Sequence, residues 1–306
     1  MIKKKSKRRY DSYVSFSFYI KEEMKKGNGE DSFYISIGKD SMILSVFDGC
    51  GGIGARRYPE FNGKTGAYVS SNIVAYTVKT WYEKGEKTDL VSEIRANLDK
   101  CENLSENASL VQLKGNLSKS FPTTCAMIEM IKKKSENKIK CSWTGDSRCY
   151  VLDNAGLHQL TVDDVSNPDA LYNLKNDGVL KNVICANHDF EIHEREYFGN
   201  GKFILFSASD GCFGYLKTPM AFEFLLLDTL MSSNSESVWK KKLIADIGKV
   251  AGDDYTMCLA AVGFKSFSEV KKYYEGRLNE LKSKYMESRE TEEALWENYK
   301  TEYEKY

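Results

Sequence analysis

Asp48, Asp146, Asp210 and Asp253 stand at the ends of apolar, β-prone runs or just before one, and Glu30-Asp31 adds a further acidic position. The run Met42-Ile43-Leu44-Ser45-Val46-Phe47 stops at Asp48 and turns through Gly49-Cys50-Gly51-Gly52; glycine alone tolerates the positive φ that a tight exit needs. Phe203 to Gly211 repeats this grammar, and Trp143-Thr144-Gly145-Asp146 and Gly252-Asp253-Asp254 vary it. Taken singly, each is an ordinary Asp-Gly turn at a strand end. If the strands are neighbours, however, the acidic tips converge on one edge of the sheets. Ionised carboxylates gathered there raise one another's pKa unless cations neutralise them. Oxygen ligands without a nearby His or Cys pattern suit hard divalent ions, Mg²⁺ or Mn²⁺, rather than zinc. Two such ions sharing a carboxylate lie about 3.5–4 Å apart and hold a hydroxide between them, a nucleophile whose natural target is phosphorus.

The elements that must present these tips are strands in clusters, with helices between the clusters. Residues 13–20 alternate apolar side chains with serine, as a half-buried strand does. Strands at 32–37 and 42–47 follow over short connections, so an antiparallel opening is expected. Residues 64–82 and 90–117 read as helices, the second interrupted by an Asn/Ser-rich stretch at 103–109. Further strands are expected at 123–131, 138–144, 149–152, 157–160, 203–207 and 257–264, with a hairpin turn at Asp153-Asn154-Ala155-Gly156. Residues 161–181 are polar and irregular, a candidate mobile flap or connector, and 218–231 and 236–250 read as helices. Short turns where strands abut argue for antiparallel sheets covered by helices, not for a doubly wound parallel sheet.

A chain of 306 residues suits one large domain or two small ones. Its 44 basic and 44 acidic residues cancel, so no global field points to nucleic acid or an anionic membrane. The 8 cysteines are scattered singly without CxxC spacing, which gives neither a zinc pattern nor a disulfide framework. No apolar run reaches the length of a signal peptide core or a transmembrane segment, and a reducing, cytoplasmic setting is expected. Lysines and arginines crowd the first nine positions, which marks 1–12 as a solvated basic tail ahead of a body at 13–265. From 266 to 306 the composition turns to Glu, Lys and Tyr. Phe267, Val270, Tyr274, Leu278, Leu281 and Tyr285 fall at helical intervals, and Leu295, Trp296, Tyr299 and Tyr303 resume after a gap. This C-terminal helical extension either packs on the body or offers a face to a helical partner.

One known family shares the whole ordered set. Glu30-Asp31, Val46-Phe47-Asp48-Gly49-x-Gly51-Gly52, Thr123-Thr124-Cys125-Ala126, Gly145-Asp146-Ser147-Arg148, Leu160-Thr161-x-Asp163-Asp164, Ser209-Asp210-Gly211 and Asp253-Asp254-x-Thr256 resemble the type 2C (PPM) metal-dependent serine/threonine protein phosphatases, over roughly 13–264. The resemblance implies an α+β fold, a four-layer α-β-β-α sandwich of two antiparallel sheets flanked by helices, here with the C-terminal extension added. It implies that Asp48 bridges two Mg²⁺ or Mn²⁺ ions and that the Gly49 carbonyl ligates one of them. Asp210 and Asp253 would complete one ion's shell, and Glu30 or Asp31 would hold the other through waters. Asp146, with Asp210, would sit where some members bind a third ion. Thr123-Thr124 and Ser147-Arg148 would support the strands rather than touch substrate.

Three departures bear on activity. Where the family usually has the histidine thought to protonate the leaving oxygen, this chain has Cys50, so a general acid worth about 10²–10⁴-fold is absent. The family's phosphate-binding arginine falls on Lys26, a point charge instead of a bidentate fork, and Arg56 and Arg57 are the side chains that could compensate. The family's Asp-Asn pair reads Asp253-Asp254. The expected function is hydrolysis of phosphoserine and phosphothreonine in protein substrates, at a rate that the Cys50 departure would lower. The alternative is a phosphatase-like module, weakly active or inactive, that binds a protein partner. A nuclease reading lacks the basic, aromatic-interleaved groove it would need.

Overall fold

A computed structural model describes residues 13–85, 88–107, 120–134, 136–176 and 178–306. The basic tail and the end of the expected 90–117 helix lie outside the described residues. In chain order the elements are β1 (Val14–Glu22), β2 (Ser32–Ile37), β3 (Ser41–Phe47), β4 (Arg57–Tyr58), β5 (Lys64–Thr65), α1 (Gly66–Lys84), α2 (Leu90–Asn107), β6 (Cys125–Ile131), β7 (Asn137–Thr144), β8 (Arg148–Leu152) and β9 (Leu157–Gln159). They continue with α3 (Ala170–Lys175), β10 (His193–Gly199), β11 (Phe203–Ala208), α4 (Pro219–Met231), α5 (Glu236–Ile247), β12 (Tyr255–Val262), α6 (Phe267–Leu281) and α7 (Glu292–Tyr303).

Two antiparallel five-stranded sheets face each other. One runs β1-β12-β11-β8-β9 and the other β10-β7-β6-β3-β2. Strand β3 shows why its sequence is a continuous apolar run rather than an alternating one. Met42, Leu44 and Val46 point between the sheets, while Ile43 and Phe47 point outward under α1. A strand buried on both faces has no polar side to show. Helices α1 and α2 cover the second sheet through Val74, Val78, Ile94 and Leu98. On the first sheet, Ile204, Phe206 and Leu259 pack under α4 and α5, with Leu226 and Trp239 against them. The result is a helix–sheet–sheet–helix sandwich.

The opening strands differ from expectation in one respect. β2 and β3 pair, but β1 leaves them and pairs with β12 in the other sheet, from Glu22 against Tyr255 to Val14 against Val262. The short connection 23–31 therefore crosses from one sheet to the other. β10 is a strand the sequence pattern did not mark. It is an edge strand whose Glu194 and Glu196 pair with Lys140 and Lys138 of β7, both at 2.5 Å. Charged side chains on an exposed edge strand hide the apolar alternation and guard against pairing with other chains. The irregular stretch 161–181 contains the short helix α3.

The C-terminal extension completes the outer layer. Val270, Tyr274, Leu278, Leu281, Leu295, Trp296, Tyr299 and Tyr303 are all buried in the same core as β8, β11 and α4. The first run ends in a π-helical turn at Lys282–Met286, and the non-helical connection 287–291 that follows accounts for the gap in the apolar repeat. Two buried polar links reinforce the seam. Arg277 donates to both oxygens of Glu223 on α4, at 2.7 and 2.9 Å, and the Tyr299 hydroxyl donates to the same carboxylate. His158 on β9 faces the Glu302 carbonyl and the Asp153 carboxylate; burial works against a charged ring, but these two acceptors raise its pKa. The apolar stripe of 266–306 is thus covered within the molecule, which leaves the expectation of a helical partner unsupported. Among the described residues no helix is long and apolar enough to cross a membrane.

Candidate functional site

Strand register brings the acidic tips to one edge. In the second sheet Ser32 pairs with Phe47 and Cys125 with Thr144, so Asp31, Asp48 and Asp146 leave the strands on the same side. In the first sheet Ala208 pairs with both Arg148 and Met257, which places Asp210 and Asp253 at the matching edge. The Gly145-Asp146-Ser147 turn joins β7 to β8 and so ties the two edges together.

Asp210 lies at the centre of the group. For Asp31, Asp48, Asp146 and Asp253, desolvation by the surrounding protein is the first cause of a raised pKa, and repulsion from Asp210 adds to each. Asp31 is 1% exposed and pushed up to about 8, even though the Ser209 hydroxyl donates to it at 2.8 Å. Asp48, Asp146 and Asp210 keep a face toward solvent, and Asp253 is exposed. The Asp210 Oδ1 atom is nevertheless buried and has no hydrogen-bond partner. A buried lone pair left unmatched is costly unless something positive is meant to meet it.

Glu30 stands at the rim. Its carboxylate accepts from the hydroxyl of Thr65, the N-cap of α1, and packs on Gly51, where a Cβ would come within 2.2 Å of Oε2. Burial raises the Glu30 pKa, while Thr65 and Arg57 lower it. Asp254 accepts from the backbone N–H groups of Met24, at 2.8 Å, and Glu30, at 2.7 Å. The second aspartate of the pair therefore pins the crossing connection 23–31. Gly211 packs so closely that a Cβ there would meet the Asp254 carbonyl at 2.0 Å. Thr123 and Thr124 hold the Asp48 backbone: the Thr123 hydroxyl and the Thr124 N–H both donate to its carbonyl, at 2.7 and 2.8 Å. Gly49 forms a bridge with Thr123 beside them.

Behind Asp146, the Arg148 guanidinium is buried and grips Asp163 with two donors, Nε at 2.9 Å and Nη2 at 2.6 Å. It lies 4.3 Å over the Phe213 ring, and it partly offsets the burial that raises Asp146. A cleft of about 410 Å³ opens here, with Asp146 and Asp210 on its floor and Asn173, Lys175 and Tyr215 on its walls.

This donor set fits hard divalent ions. It is all oxygen and includes an unmatched buried Asp210 oxygen, and burial together with carboxylate repulsion raises the pKa of Asp31, Asp48, Asp146 and Asp253, a cost a cation among them would offset. Among the described residues no group of three or more His, Cys, Asp or Glu side chains is already drawn round one point. Ion binding would therefore have to pull Asp48, Asp210 and their neighbours inward.

The architecture has solved counterparts. The chain is similar to the serine/threonine phosphatase Stp1 of Staphylococcus aureus, with a TM-score of 0.58 at 16% identity over 83% of this chain and 97% of that one. The PPM Ser-Thr phosphatase MsPP of Mycobacterium smegmatis, solved with cacodylate, gives 0.53 at 12% identity over 82% and 99%. The catalytic domain of the phosphatase PstP, solved with two manganese ions, gives 0.53 at 16% identity over 82% and 99%. The fold is the PPM phosphatase fold. No protein-family profile matches the sequence, and no curated protein matches it in sequence.

Around this site the remaining expected residues are placed unevenly. Cys50 is a partly exposed thiol in the turn after Asp48, near enough to contribute to the raised Asp48 pKa. Arg57 donates to the Gly63 carbonyl at 2.9 Å and is the cation felt by Glu30. Arg56 lies 4.9 Å over the Tyr58 ring. Lys26 is exposed in the 23–29 loop, whose Gly27 carbonyl accepts from Lys64 at 2.8 Å. Ser209, Thr65 and the anchoring role of Asp254 escaped the sequence reading. Their partners lie 178, 35 and 224 or more positions away. For Ser209 and Asp254 the only local signal was adjacency to a predicted ligand, and Thr65 had none.

Proposed function

We propose that this chain is a metal-dependent phosphomonoester hydrolase of the PPM type, acting on phosphoserine and phosphothreonine in proteins. The observation that carries the reading is the convergence of Asp31, Asp48, Asp146 and Asp253 about Asp210 at one edge of a PPM sandwich. Asp48, Asp210 and Asp253 would hold one Mg²⁺ or Mn²⁺ ion, and the Gly49 carbonyl would ligate one of the ions that Asp48 shares. Asp48 with Glu30 or Asp31 would hold a second, and Asp146 with Asp210 would offer a third, weaker place. Bound there, such ions lower the pKa of a coordinated water and screen the phosphoryl charge. Ser209 keeps Asp31 oriented, Thr123 and Thr124 fix the Asp48 backbone, and Asp254 holds the Glu30 backbone against the site.

On this reading Cys50 would stand where a leaving Ser or Thr oxygen takes its proton. A free thiol with a pKa near 8.5 is a weaker acid at neutral pH than an imidazolium. Purified protein with Mn²⁺ is expected to release phosphate from an aryl phosphate, whose leaving group needs little protonation, far faster than from a phosphothreonine peptide. Cys50→His should narrow that ratio by about tenfold or more, within the range general acids supply. A ratio left unchanged by Cys50→His would exclude Cys50 as the weak point. Absence of turnover on both substrates, with Mn²⁺ shown to be bound, would overturn the enzyme reading in favour of a partner-binding module.

A further inference from the structure

The C-terminal helix α7 touches both ends of α3, the helix that forms one wall of the cleft. At the N-terminal end, Asp169 caps α3 by accepting from the Tyr172 N–H at 2.8 Å with Oδ1, and its Oδ2 accepts from the buried Trp296 indole at 2.9 Å. At the other end, the Lys175 ammonium pairs with Glu292 at 3.0 Å and Glu293 at 2.6 Å, in the first turn of α7. At its last residue, α7 also brings the Tyr303 hydroxyl to Arg148, the guanidinium behind Asp146. A six-residue helix is too short to hold its own shape or place in water, so its position is set by whatever grips it. The cleft at Asp146 and Asp210 continues past Leu174, Lys175 and Tyr215 into a second groove, and Glu292 lines that groove.

We propose that α7 is a clasp for substrate recognition: Trp296, Glu292 and Glu293 are positioning residues that fix α3 as the wall against which the polypeptide flanking a phosphorylated residue docks. The inference rests on the phosphatase reading for its substrate. A small aryl phosphate needs only the carboxylate floor, whereas a peptide must also lie along the wall. The indole bond to a carboxylate dominates the grip, because exposed ion pairs such as Lys175–Glu293 contribute little singly.

The test uses the full chain and two variants, Trp296→Phe, which keeps an aromatic ring but deletes the indole donor, and the double variant Glu292→Lys, Glu293→Lys. Amide hydrogen exchange at 163–176 should accelerate about tenfold in Trp296→Phe, the scale of one hydrogen bond to a charged group, and by a smaller factor in the double variant, with the sheets unchanged in both. KM for a phosphothreonine peptide should rise by a similar factor, while kcat and the aryl phosphate KM stay within about twofold. Adding Lys175→Glu to the double variant should restore both readouts. Unchanged exchange at 163–176, acceleration spread evenly over the sheets, or local loosening with an unchanged peptide KM would each overturn the clasp. The exchange arm needs no activity, so it judges the clasp even if neither substrate is hydrolysed.

Discussion

Asp48→Asn is expected to abolish Mn²⁺-dependent phosphate release while making the metal-free protein more stable near pH 8. The two effects have one origin. Desolvation raises the Asp48 pKa well above the usual carboxylate value, and Asp31 and Asp210 raise it further by repulsion. A carboxylate whose folded pKa is raised adds stability that is complete below its unfolded pKa, about 3.9, and is lost as pH climbs through the folded value. For Asp31, pushed up to about 8, that window runs from about pH 4 to 8. Without ions, stability should therefore fall across this range. Asparagine at position 48 removes one charge from the cluster and should recover about 1 kcal/mol or more, the worth of one pKa unit. The same substitution deletes the ligand proposed to be shared, and activity should drop by more than the roughly 10–100-fold that loss of an outer-shell partner costs. Thermal melts at pH 5 and pH 8 in chelator, with phosphate release in Mn²⁺, check both halves. A metal-free variant no more stable than the parent at pH 8, or one retaining a tenth of the activity, would contradict the account.

Arg277→Met should be the most damaging single change outside the carboxylate edge. Glu223 is 0% exposed and takes two charged donors from Arg277, whose guanidinium is itself nearly buried. Removing the arginine leaves a buried carboxylate with only the Tyr299 hydroxyl, a loss of about 3–5 kcal/mol. For a chain of this length that corresponds to a melting temperature lower by roughly 5–8 °C. Replacing both partners, as Arg277→Met with Glu223→Leu, should recover most of the loss, because an apolar pair of similar shape leaves no unpaired charge. Chemical denaturation of the two variants decides it. A single-variant loss below about 1 kcal/mol, or a double variant as weak as the single, would show that the pair does not hold the seam between α4 and α6.

The carboxylate tips were legible because most stand where a short apolar run meets glycine-bearing turn residues, and those flanking signals, not periodicity, separate a buried strand from a buried helix. The doubling-back of β8 and β9 through Asp153-Asn154-Ala155-Gly156 was legible for the same local reason. What was hidden depended on distance or on solvent. The β1 partnership with β12 spans nearly the whole chain, and nothing in residues 14–22 names the strand that will lie beside them. β10 carries charges on its solvent-facing edge, so its strand period is masked. α3 is too short for a helical period to register, and its grip by Trp296 crosses 127 positions. Among site residues, Asp48 and Asp210 announced themselves, whereas Ser209 and Thr65 acquire meaning only once Asp31 and Glu30 are in place.

The most direct measurement is anomalous diffraction at the manganese edge from crystals of the protein soaked in Mn²⁺. The account predicts at least two peaks, both within ligand distance of Asp48 and one of them also reached by Asp210 and Asp253. Peaks only elsewhere on the surface, or none at occupancies that saturate other sites, would contradict it.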